Sequence, residues 1–135
     1  MKKLINLTIA ATAALTLTTS LHAMDGKKDC DVKANGIEKV IATANVYNDQ
    51  AKKAGLEFRR LGVNNSGLIL AVEEAIKTGA KEVNPKDFKG KASKTKLETT
   101  YAAERACRFA IAALTQAQEA KTSWRLAVPG DGYKY

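Results

Sequence analysis

Residues 95–122 read TKLETTYAAERACRFAIAALTQAQEAKT. Thr95-Lys96-Leu97-Glu98 has the form of a capping box, in which a threonine hydroxyl and a glutamate three positions on satisfy each other's free backbone N–H groups. Beyond it Thr100, Ala103, Cys107, Ala110, Ile111, Leu114 and Ala117 recur at helical spacing. The stretch therefore predicts a helix running to about Thr122. Cys107 lies on its apolar face, about 18 Å along the axis from the cap at 1.5 Å per residue. Glu104 and Arg108 stand one turn apart and predict a surface ion pair.

The other cysteine is Cys30, 77 positions earlier. Whether the two pair depends on the compartment, and the N-terminus addresses that. Met1-Lys2-Lys3 is a short basic start, Leu4 to Leu21 is uncharged, and Leu21-His22-Ala23 suits signal peptidase. The threonines in the run, with Asn6 and Ser20, make a poor retained anchor. Residues 1–23 are thus expected to be a cleaved signal peptide, with export to the periplasm or beyond. No cysteine follows the apolar run directly, which excludes a lipoprotein. In an oxidising compartment a lone cysteine pair forms one intramolecular disulfide. Arg105 and Arg108 flank Cys107, which leaves a reactive thiol as one competing reading and intermolecular pairing as the other.

Loss of the leader removes His22, the chain's single histidine. That excludes Ser-His-Asp and Cys-His catalysis and His-ligated metal or haem. There is no phosphate loop, EF-hand loop or Gly-x-Ser-x-Gly elbow. Glu73 and Glu74 are adjacent on a helix, so they point about 100° apart and cannot converge as an acid/base pair. No cofactor or metal is expected.

About 110 residues follow the leader, enough for one domain with a modest core that a covalent staple would help. Met24 to Asp31 is polar. Ile37, Val40, Ile41, Ala44, Tyr47, Ala51, Ala54 and Phe58 predict a helix over about 32–61, with Gly55 as a weak point and Gly62 at its end. Asn64-Asn65-Ser66-Gly67 reads as a turn. Leu68, Leu70, Ala71, Val72, Ala75 and Ile76 predict a second, deeply buried helix from about Leu68 to Thr78, stopping at Gly79.

Lys81, Lys86, Lys89, Lys91, Lys94 and Lys96 then face only Glu82 and Asp87. The Gly, Ser and Lys content predicts a mobile loop, with Pro85 opening at most one helical turn. In the tail, residues 123–135, Pro129 to Gly132 form a turn cluster, and Trp124, Tyr133 and Tyr135 stand out in an aromatic-poor chain. The formal charge of +8 falls by two when Lys2 and Lys3 leave. Outside the cytoplasm that charge points to acidic proteins or anionic envelope polymers and lipids rather than to nucleic acid.

Two segments carry family resemblances. Cys30, Lys33, Ile37, Lys39, Ile41, Ala44 and Gly55-Leu56 form C-x2-K-x3-I-x-K-x-I-x2-A-x10-G-L. This resembles the opening of the small periplasmic YqjC-type proteins of unknown function, which are helical and cysteine-paired. Their second cysteine would fall near Gly67, where this chain has none, so Cys107 would have to serve. Leu114-Thr115-Gln116-Ala117-Gln118 is similar to the Leu-Thr-x-x-Gln motif of the Spy and CpxP periplasmic chaperones, which carry it twice.

The expected architecture is all-α: a three-helix domain, residues 24–122, stapled by Cys30–Cys107. The expected function is non-enzymatic binding of another envelope macromolecule, as accessory subunit or inhibitor. Lys86, Lys89, Lys91, Lys94, Trp124, Tyr133 and Tyr135 are the candidate contacts. A holdase chaperone is the alternative, and an enzyme without histidine chemistry the minor one.

Overall fold

A computed structural model of the protein describes residues 25–123. The candidate contacts Trp124, Tyr133 and Tyr135, like the expected leader at residues 1–23, lie outside the described residues. The elements are α1 (Val32–Asn35), α2 (Ile37–Lys53), β1 (Arg59–Arg60), β2 (Val63–Asn64), α3 (Asn65–Thr78), β3 (Glu82–Val83), β4 (Leu97–Glu98) and α4 (Thr99–Ser123). Three long helices carry the core, and two short antiparallel ribbons, β1–β2 and β3–β4, are added to them. The fold is therefore mostly helical rather than wholly so.

The core is mostly where the helical periodicity places it, except that Leu70, expected on the buried face of α3, is 64% exposed, and its neighbour Ile69 is buried instead. Val40, Ile41, Ala44, Tyr47 and Ala51 of α2 meet Leu68, Ile69, Val72 and Ala75 of α3 and the α4 face that runs from Ala102 through Ala106 and Ala110 to Leu114. Much of the seam is alanine. Small side chains let helix backbones approach closely, but each contributes little apolar area. Cys30 and Cys107 are bonded to each other, fully buried, with Cα atoms 5.6 Å apart. The staple joins the start of α1 to the middle of α4. Beside it the Glu104 carboxylate accepts the Val32 N–H at 3.1 Å and pairs with Arg108 at 3.2 Å.

The first helix is shorter than its apolar pattern predicts. Gly36, at φ 82°, separates α1 from α2, and α2 ends at Lys53. Gly55 takes φ 71° and the Leu56 N–H closes back onto the Ala51 carbonyl at 2.7 Å. Gly55 is thus a left-handed helix stop, a conformation that favours glycine. Ala54 caps the helix instead of lining the core, and Phe58 leaves it to stack on Phe109. The expected Asn64–Gly67 turn is instead the start of α3. Within α3, a Cβ on Gly67 would lie 3.2 Å from the Lys86 carbonyl oxygen, so glycine lets the following loop approach.

The predicted capping box does not form. Leu97 and Glu98 pair with Val83 and Glu82, and that pairing removes them from the helix. The Thr99 hydroxyl donates to the Ala80 carbonyl at 2.7 Å, and α4 starts there. Nor is the lysine-rich segment a loose loop. Asn84 Nδ2 donates to the carbonyls of Ser93 and Thr95, Lys86 bridges Ala92, and Ser93 N–H donates to the Pro85 carbonyl. Pro85 is buried here and opens no helical turn.

A disulfide closing a loop of this length stabilises by about 4 kcal/mol on the chain-entropy account. Changing both Cys30 and Cys107 to Ala should therefore lower the unfolding free energy by about that amount in urea titrations, and the wild-type protein in excess reductant should show the same loss.

Candidate functional site

Two hairpin tips meet at one end of the molecule. In the first, Arg60 pairs with Val63, leaving Leu61 and Gly62 as a two-residue turn. Both residues have positive φ, 52° and 79°. Positive φ at both central positions is the signature of a type I′ turn, which favours Asn, Asp or Gly. A leucine there is strained, and its side chain is 79% exposed. Phe88, at the second tip, is 65% exposed. The two tips are bonded to each other: the Phe88 N–H donates to the Gly62 carbonyl at 2.9 Å. The Phe88 ring also lies within 3.4 Å of where a Gly62 Cβ would stand.

Cations surround this apolar pair. Leu61 and Phe88 share one shallow hollow with Lys89, Lys91, Lys94 and Lys96. Arg59 and Arg60, both exposed, precede Leu61 on β1. Asp87 is the acidic side chain in the hollow, and its Oδ1 accepts the backbone N–H groups of Lys89 and Lys91, each at 2.9 Å. Its charge therefore shapes the tip rather than pairing with a lysine ammonium. Among the described residues the ion pair present is Glu104–Arg108 on α4, and it includes none of these lysines or arginines.

The candidate lysines are not all on one surface. Lys89, Lys91 and Lys94 line the hollow. Lys86 instead faces α3, beside Leu70, Glu73, Glu74 and Lys77. Lys96 joins the first group, and sequence reasoning gave no signal for Leu61 or Phe88. Single exposed apolar residues are ordinary, and only the meeting of two tips 27 positions apart in sequence brings these two to one hollow.

Behind the first tip a small cleft is lined by Phe58, Asn64, Asn65, Leu68, Arg105 and Phe109, among others. Phe58 and Phe109 stack with centroids 4.1 Å apart, and the Arg105 guanidinium sits 5.0 Å from the Phe109 ring centre. This contact fastens the β1–β2 hairpin to α4. A polar chain runs beneath it. Asn65, almost fully buried, donates to the Ala106 carbonyl at 2.9 Å and to Asn48 Oδ1 at 3.0 Å. Asn48 donates in turn to Glu57 at 3.2 Å. Glu57 also accepts the Ser66 N–H at 2.8 Å, so it caps α3 from outside the helix while the Asn64 side chain makes no cap bond. The Oδ1 atoms of Asn64 and Asn65 are buried without a hydrogen-bond partner.

Partial burial pushes the Glu57 pKa upward, but the hydrogen bonds from Ser66 and Asn48 and the charge of Lys52 outweigh it and hold the carboxyl below its ordinary value. A carboxylate depressed in the folded state stabilises fully above its ordinary pKa, and the contribution is lost as pH falls through the folded value. Thermal melts should therefore show acid destabilisation that is flatter in Glu57→Gln. That variant should also be less stable at neutral pH, because the α3 N-terminus loses a charged acceptor.

Among the described residues no group of His, Cys, Asp and Glu side chains is placed to hold a metal, and no helix is long and apolar enough to cross a membrane. No protein-family model, curated protein or solved structure matches the chain, and its function therefore has to be read from the two hairpin tips and the cleft behind them.

Proposed function

We propose that the chain is a non-enzymatic exported protein that binds an anionic macromolecule of the cell envelope through the face built by its two hairpins. The observation that carries this is the cluster of Lys89, Lys91, Lys94 and Lys96 around two exposed apolar tips, with no ion pair to any of them among the described residues. Like charges gathered on a surface repel one another and are retained at a cost in stability. An anionic partner relieves that repulsion. The leader-like N-terminus and the buried disulfide support export. The face has its cations on exposed loop residues and no catalytic role is assigned to any of them.

A capture experiment on an envelope extract of the host, read for both proteins and lipids by mass spectrometry, tests this. The wild-type protein should retain a narrow set of anionic partners that K89E/K91E/K94E/K96E does not, and added salt should release them. Retention of many unrelated, partly unfolded proteins would replace this reading with the chaperone alternative. Equal capture by wild type and variant would overturn the proposal.

A further inference from the structure

We infer that the anionic macromolecule is a lipid bilayer, with Leu61 and Phe88 entering the headgroup layer while the surrounding lysines engage lipid phosphates. The inference rests on the binding role proposed above and names its partner.

Four observations favour a bilayer over an acidic protein. Leu61 and Phe88 are the most exposed large apolar side chains among the described residues. Others of the kind, Val46, Leu70 and Tyr101, are spread over three separate helices. The two tips are coupled through the Phe88–Gly62 hydrogen bond, so they present their side chains together. The ring of cations is mainly lysine, which protein interfaces deplete, whereas its long stem lies along apolar surface while the ammonium reaches a headgroup. Finally, Leu61 occupies a turn position that asparagine or glycine would hold without strain. Its side chain is 79% exposed and only edges the cleft lined by Phe58 and Phe109, so most of its apolar surface lies outside the fold.

Neither element suffices by itself. Two apolar side chains give shallow, reversible insertion, and exposed charges alone are screened by salt. Together they make a surface anchor that requires both anionic headgroups and an apolar layer beneath. A bilayer supplies both and needs no complementary shape.

Co-sedimentation of the purified oxidised protein with vesicles tests this, comparing phosphatidylcholine alone with phosphatidylcholine mixed with phosphatidylglycerol. Binding is expected only to the mixed vesicles, and it should weaken roughly tenfold or more in K89E/K91E/K94E/K96E and at high salt. Leu61→Asn and Phe88→Ser leave the charge unchanged and should each weaken binding by roughly fivefold. Leu61→Asn should at the same time raise the melting temperature, because it relaxes the turn, so its loss of binding cannot come from misfolding. Binding that tolerates both apolar substitutions would overturn insertion. Absence of vesicle binding, with one envelope protein captured by wild type and lost in the lysine variant, would overturn the bilayer and leave the binding role standing. Failure of both assays would overturn both.

Discussion

A covalent bond ties the segment before α1 to α4, beside a seam between α2 and α4 that is rich in alanine. Ala44 and Ala51 of α2 and Ala102, Ala103, Ala106 and Ala110 of α4 are buried there, with Ile41, Tyr47, Ile111 and Leu114 as the larger side chains. At about 0.8 kcal/mol for each buried CH₂ such a core gains little apolar free energy for the chain it orders. The Cys30–Cys107 bond adds to this by reducing the entropy of the unfolded chain, and it joins α4 to the segment that leads into α1.

From that seam the positions of the hairpins follow. Ala106, next to the staple, offers its carbonyl to Asn65. Through Asn48 and Glu57 the same chain of bonds reaches the segment that enters β1 and holds the first turn of α3. The Phe58–Phe109 stack fixes the outer side of the hairpin. The second loop is held by Gly67, which admits the Lys86 backbone, and by the asparagine and aspartate side chains that take the place of ladder bonds. Buried polar networks of this kind specify one arrangement when satisfied. Here two acceptors remain unsatisfied, the Oδ1 atoms of Asn64 and Asn65, both shut off from solvent.

The helices, the Gly79 stop and the cysteine pairing were legible because periodicity and cysteine count are local or nearly unique signals. Other features were decided by tertiary contacts. Gly55 reads as a tolerated interior glycine until the chain beyond it turns back onto α3. Thr95 to Glu98 has a sound capping-box sequence, yet strand pairing with Glu82-Val83 takes its backbone first. Strands of two residues have too short a run for alternation to show. Lys86 and Lys89 are near neighbours in sequence but face different surfaces, since the Lys86–Ala92 bridge sets the side from which each leaves the loop. The lysine cluster was therefore visible as a composition, while its geometry and its apolar centre were not.

Departures from local rules are informative when they gather in one place, because a sequence consistent with its fold leaves few of them. Along α2, α3 and α4 apolar residues are mostly inward, and the exposed ones are isolated. At the hairpin end the rules fail together: a leucine at positive φ, an exposed phenylalanine beside it, four lysines around them, and an aspartate committed to backbone N–H groups. Turn strain alone would be relieved by asparagine, apolar exposure by any polar residue, and charge repulsion by one glutamate. Each is a single substitution that the fold would accept, since none of these side chains packs in the core. An environment anionic at its surface and apolar just beneath would account for them together, since it would bury the exposed side chains, relieve the lysine repulsion and offset the turn strain.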